Sequence, residues 1–159
     1  SGYAAGVDFI AHSYTLKNKG YTIIVLPEGI NGFRIRKELI SDWNWNRTLV
    51  ISEFLPNAKW TVGRAMQRNK TLIGLSDISI VIEAGVKGGS FDAGMATLEQ
   101  GKYLFVPQYS IPPESALGNK ILIDRGAFPL RKNQFTNKVN LALLKNLLND
   151  RNKYSLFEE

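Results

Sequence analysis

The sequence predicts an α/β fold, with a mostly parallel sheet covered by helices on both faces. Three observations predict it. Short apolar, β-branched runs alternate with stretches of helical period along the chain. The runs are apolar throughout, as in strands buried on both faces, rather than alternating as in half-solvated strands. The joints between them are rich in glycine, proline and asparagine. A chain of 159 residues is enough for one domain with its own core. That domain is expected over residues 1–150, with a polar tail at 151–159.

Val7, Ile10, Ala11 and Tyr14 share one helical face, so a first helix is expected from Val7 to Lys19, stopped by Gly20. Ser1-Gly2 reads as the tail of a strand whose body would precede it, so the chain is expected to be the back part of a longer one. Tyr21 to Leu26 reads as a buried strand, followed by a turn-rich loop from Pro27 to Gly32. A short helix is expected over Arg34 to Ser41 and a strand over Thr48 to Glu53. A loop carrying Pro56, Asn57 and Trp60 then leads into a helix over Val62 to Leu75.

Ile78, Ile80, Val81 and Ile82 suit a strand buried on both faces. The loop Gly85 to Ser90 follows, then a helix to the stop at Gly101. Tyr103 to Val106 is the next strand and Ser115 to Asp124 the next helix. A final helix is expected over Asn137 to Asn149, with leucines that pack on the domain or on a partner.

Hydrophobic residues make up 44% of the chain, which excludes a disordered one. The absence of cysteine excludes a disulfide framework and cysteine-zinc sites, and fits a cytoplasmic protein. No apolar run approaches transmembrane length, so no membrane partner is expected. The formal charge is +6. Its distribution matters more than its sum. From Phe54 to Ser76 there is no acidic residue, but Lys59, Arg64, Arg68 and Lys70 are all present. Arg64 and Arg68 stand at i and i+4 on the predicted helix. A second cluster holds Lys120, Arg125, Arg131, Lys132 and Lys138 against Asp124. Both clusters fit either a solvated basic face or a surface for phosphate backbones.

The strand–glycine loop–helix unit around Gly88, Gly89 and Ser90 directs free backbone N–H groups at one spot, where a phosphate can sit. In parallel α/β folds ligands lie outside the carboxyl ends of the strands. Gly6, Asp8, Gly29, Lys87 and Asn119 belong to the loops expected there and, with Lys120 of the second basic cluster, are secondary candidates. No metal pattern, nucleophile turn or phosphate-loop lysine motif is present, so no catalytic residue and no cofactor is assigned. His12, the single histidine, reads as a packing or capping residue.

Several segments, in order from Ser1 to Leu130, resemble the DprA/Smf family of DNA-processing proteins. SGYAAGVDFIAHSYTL is similar to the family's SGxARGIDxxAHxxAL, and YTIIVLPEGIN to its xTIAVLGTGLD. LVISEFLPN resembles LLSEFPPG, and RNKTLIGLSDISIVIEA resembles RNRIIAGLSxxxLVVEA. GGSFDAGMATLEQGKYLFVPQYS is similar to SGSLITAxxALEQGRxVFAVPGS, and GNKILIDRGAFPL to GTNxLIxxGAxPV. The resemblance implies a Rossmann-like three-layer sandwich that binds single-stranded DNA, forms a homodimer, and helps load a RecA-type recombinase, with no enzymatic activity. It also implies that Arg68, Asn69 and Lys70 occupy the family's Arg-Asn-Arg motif, and that Gly88, Gly89 and Ser90 form its phosphate-facing loop. The departures imply a divergent member. Ala5 stands for the usual arginine, Ala93 for a threonine, and Pro27-Glu28-Gly29 for Gly-Thr-Gly, while the family's GSR segment would lie before Ser1.

Two alternatives come from other classes. One is a nucleotide phosphoribohydrolase of the LOG type, which needs a catalytic glutamate five or six residues past its glycines. No glutamate stands at that spacing after Gly88-Gly89. The other is a nucleotide-binding sensor domain.

Overall fold

A computed structural model describes residues 1–152 of the chain. Its helices are α1 (Val7–Lys17), α2 (Val62–Leu75), α3 (Gly89–Glu99), α4 (Leu117–Asp124) and α5 (Ala142–Asn152). Its strands are β1 (Thr22–Val25), β2 (Thr48–Ile51), β3 (Ile78–Ile80), β4 (Tyr103–Pro107) and β5 (Phe128–Leu130). Every strand pair is parallel, with β1 on β2 and β3–β4–β5 in a second set. The architecture is α/β with parallel sheets, as the alternation of elements predicts, and Rossmann-like, as the resemblance implies. The expected tail at 151–159 lies almost wholly outside the described residues.

The two sheets do not hydrogen-bond to each other. Ser1 lies against β1 in a parallel-ladder pattern, its amino group donating to the Ile23 carbonyl and its carbonyl accepting from Val25 N–H, both at 3.0 Å. Across from it the edge of β3 is open. A groove of about 610 Å³ separates them, lined also by Ala65, Leu72 and Ile73 of α2 and by Ala93 and Thr97 of α3. This corrects the expectation that β3 is buried on both faces. Ile78 and Ser79 are half-buried and Ile80 is exposed, because among the described residues β3 has one strand neighbour, β4, and its other edge borders the groove.

The core sits under β4. Ala84, Leu104, Val106, Leu122 and Ala127 form one buried cluster, with Phe91, Met95 and Leu98 of α3 packed against it. Burying a leucine such as Leu104 stabilises by about 1.5–3 kcal/mol. Local chemistry sets the helix ends. The Thr61 hydroxyl accepts from Arg64 N–H at 3.2 Å and starts α2. Lys102 Nζ closes α2, donating to the carbonyls of Ile73, Gly74 and Ser76 at 2.6, 2.8 and 2.9 Å.

Besides β3, three elements differ from expectation, the first being the short helix expected over Arg34 to Ser41, which forms instead as a 3-10 helix over Lys37–Asp42. β5 was not predicted: it is three residues long and carries Pro129, and a proline is tolerated there because β5 pairs on one side only, with β4. The last helix starts later than Asn137. Lys132 and Val139 form an antiparallel bridge, and the Asn140 side chain accepts from Ala142 N–H at 3.0 Å, so residues 131–140 make a hairpin-like loop before α5.

Candidate nucleic-acid interface

The glycine loop leads from β3 into α3. Gly88 precedes the helix with φ 109°, a left-handed value that glycine adopts without strain. No side chain caps α3, so its first amides receive no side-chain acceptor. Lys87, Gly88, Gly89 and Ser90 are all exposed. The positive helix end therefore faces solvent at the mouth of the groove, where Gly89 and Ser90 line the wall. Asp92, exposed in the first turn, opposes part of that charge.

Helix α2 supplies the other wall, and its candidates divide sharply. Arg68 is only 8% exposed. Its Nη1 donates to the Val25 carbonyl at 2.9 Å and its Nε to Asn69 Oδ1 at 3.2 Å. Burial lowers its pKa, while the charge of nearby Asp8 works the other way. Gly2 makes room for it, since a Cβ at that position would lie 2.0 Å from Arg68 Nη1. Arg68 thus ties α2 to the end of β1. Asn69 reaches across the groove mouth to the Gly89 carbonyl at 3.5 Å, so it joins α2 to the glycine loop. Arg64 is half-buried; it donates to the Lys59 carbonyl and lies 5.8 Å from the Phe54 ring centroid. Lys59 and Lys70 are exposed. Trp60 is exposed and lines the groove, so its ring is available to stack on a base, whereas the Phe91 ring is packed on the core.

The secondary candidates also divide. Gly6 precedes α1 with φ 85° and is exposed. Asp8 accepts from Ser1 Oγ and, at 3.1 Å, from Ala4 N–H, so its carboxylate organises the 1–8 turn. Gly29 is buried beneath the 53–58 loop, where a Cβ would lie 2.2 Å from the Pro56 carbonyl oxygen. Asn119 is buried and fully engaged. Its Oδ1 accepts from Ala84 N–H at 2.8 Å, and its Nδ2 donates to the Ile82 and Pro107 carbonyls at 2.9 and 3.1 Å. It clamps the chain after β3 to the end of β4, with both amide hydrogens donated to backbone carbonyls. Lys120 is exposed and pairs with Asp124 at 2.9 Å.

His12 is a packing residue, as expected. It is 1% exposed, and its Nδ1 lies 2.6 Å from Thr22 Oγ1. Burial pushes its pKa down to about 4, so the ring is neutral near pH 7. Among the described residues no group of His, Cys, Asp and Glu is arranged to hold a metal ion. Gly2 is not among the candidates drawn from the sequence, although it matches the glycine that opens the family's SGxARG segment; its part is to leave room for the Arg68 guanidinium.

Comparison with known proteins gives one answer. Residues 1–140 match the model of the DNA recombination-mediator protein A family. DNA processing protein DprA of Bacillus subtilis is 33% identical over 128 residues, covering 80% of this chain and 43% of its own length. Protein Smf of Escherichia coli is 31% identical over 129 residues, covering 80% of this chain and 34% of its own. The chain thus spans less than half the length of these curated relatives. Among solved structures, DprA of Streptococcus pneumoniae superposes with a TM-score of 0.70 at 30% identity, over 81% of this chain and 46% of that one. DNA processing protein A of Helicobacter pylori shares the fold, with a TM-score of 0.69 at 24% identity over 96% of this chain and 64% of its own. Matched across most of its length and along the ordered motifs from Ser1 to Leu130, the chain belongs to the DprA/Smf family of DNA-processing proteins.

Proposed function

We propose that this chain binds single-stranded DNA in DNA processing, at the groove mouth where the glycine loop meets α2. The observation that carries the reading is the uncapped, exposed amino end of α3, preceded by exposed Lys87 and opening on a groove that exposed Trp60 also lines. Anions gain from free amides and a positive helix end, and a base gains from an exposed ring. Family membership supports the same reading, and the Helicobacter pylori relative is described as binding single-stranded DNA. The protein works as a binding module without catalysis of its own, in the cytoplasm. It presents the strand to a RecA-type recombinase, and it acts as a homodimer through apolar residues of α5 or the preceding helix, where Leu117, Leu143 and Leu148 are exposed. No helix among the described residues is long and apolar enough to cross a membrane.

The test is a gel-shift titration with single-stranded and duplex oligonucleotides, run beside an assay for base release from nucleoside monophosphates. Preferential retention of the single strand with no base release is expected. Base release would move the phosphoribohydrolase alternative ahead.

A further inference from the structure

A second pocket lies at the carboxyl ends of β4 and β5, away from the glycine loop. Gln108 N–H donates to the Leu130 carbonyl at 2.9 Å and holds the two strand ends together. Arg131 Nε donates to Gln108 Oε1 at 2.7 Å, which fixes the guanidinium while leaving both Nη groups for another acceptor. The cavity is about 500 Å³, the size of a small-ligand site. Tyr109, Arg131, Lys132, Gln134 and Asn137 line it with Gln108, and no carboxylate does.

The pocket has a built frame. Asn133 Oδ1 accepts from the N–H groups of Phe135 and Thr136, both at 2.9 Å, and Asn133 N–H donates to the Lys138 carbonyl at 2.8 Å. That turn holds Phe135 out at 97% exposure. The pocket shares Gln108, Tyr109 and Ser110 with a smaller neighbouring cavity. Tyr109 lines that cavity, of about 280 Å³, together with Asn119, the clamp between the chain after β3 and the end of β4. Glu83, three residues past β3, lines the main groove and accepts from Ser115 Oγ at 2.7 Å.

From this arrangement we infer that the pocket between Tyr109 and Arg131–Lys132 is a second nucleotide subsite. The ring of Tyr109 carries a base, the two cations meet phosphate oxygens, and the amides of Gln108 and Gln134 bond the base edge. An aromatic face beside cations in a carboxylate-free pocket suits a nucleotide unit, because every base has a π-face and every phosphate needs positive partners. The unit comes either from a strand already held at the glycine loop or from a free nucleotide. The first source rests on the single-strand reading above.

The experiment measures affinity for oligothymidylates of about 4 and about 12 nucleotides, a span that covers one to several subsites. It compares the wild type with Tyr109→Ala and with the pair Arg131→Ala, Lys132→Ala. All three residues are exposed, so circular dichroism and urea midpoints should match the wild type. A parallel arm titrates thymidine monophosphate and follows the NMR signals of Tyr109 and Arg131. For a strand-fed subsite, the variants weaken the longer oligomer about tenfold and leave the shorter one unchanged. The charge pair also lowers the salt slope for the longer oligomer by about 1.4, at about 0.7 per phosphate contact. For a free-nucleotide site, the monophosphate shifts both signals saturably, and Arg131→Ala abolishes the shift. Equal losses on both oligomers, or no loss, together with no monophosphate shift, would overturn the subsite. If the wild type binds no oligomer at all, the single-strand reading fails, and the monophosphate arm alone then upholds or overturns the pocket.

Discussion

Arg68 and Lys70 lie two residues apart on α2, within one acid-free basic stretch, yet the fold gives them opposite environments. Arg68 points inwards, to the Val25 carbonyl and into the space left by Gly2. Lys70 stands in solvent. The difference teaches that a basic stretch in sequence is not one functional unit. A buried guanidinium bonded to backbone contributes to the fold, and removing it leaves a carbonyl without a donor. An exposed lysine contributes mainly field, which salt screens.

The largest expected effect therefore belongs to Arg68. Arg68→Ala should lower unfolding free energy by about 1.5–3 kcal/mol, the range for a hydrogen bond to a charged group, read as a lower urea midpoint. Gly2→Ala should destabilise the wild type by expelling the guanidinium, but cost little in the Arg68→Ala background, since the two residues are in contact. Additive losses in that double-mutant cycle would break the comparison.

Asn119 sharpens it from another element. Asn119→Ala leaves the Ala84 N–H and the carbonyls of Ile82 and Pro107 without their side-chain partner, and should cost about 1–3 kcal/mol of stability. An unchanged urea midpoint with weakened DNA binding would return Asn119 to the ligand site.

His12 adds a pH dependence on the buried side. Its folded pKa, about 4, lies below the ordinary 6.5, so between those values the unfolded chain binds more protons than the folded one. Stability is then full above about pH 6.5 and falls as pH drops towards 4, by up to about 1.4 kcal/mol per pH unit. Urea midpoints measured across that range should fall more steeply for the wild type than for His12→Gln. Parallel curves would refute the assignment.

Much of this fold was legible because local and global signals agreed. α2 runs from Val62 to Leu75 as its periodicity predicts, with Thr61 in place as its cap. Other features depend on tertiary neighbours. Ile78 and Ile80 read as a doubly buried strand, but burial depends on which strands lie alongside, and among the described residues β3 pairs with β4 alone. β5 carries too few residues, with a proline among them, to declare a period. At the site, the glycine loop and the exposure of Lys87 follow from the motif. The inward turn of Arg68 does not, because spacing places it beside Arg64 on the helix and says nothing of what Gly2 leaves open. Asn119 resembled a ligand residue because its loop lies at the strand ends; its three bonds to backbone make it a clamp instead.

The smallest effects on stability are expected at the exposed cations. Lys70→Ala and Lys87→Ala should each change unfolding free energy by less than about 0.5 kcal/mol, measured by urea titration. Any larger loss would place them with Arg68 on the structural side.

The most direct measurement is the salt dependence of single-strand affinity for the wild type and for the Lys70→Ala, Lys87→Ala double variant. If the groove mouth holds a phosphate backbone, the wild-type log–log plot is steeply negative. The double variant, folded to the same urea midpoint, flattens it by about 1.4, at about 0.7 per lost contact. A wild-type slope near zero, or a double variant with an unchanged slope, would contradict binding at this mouth.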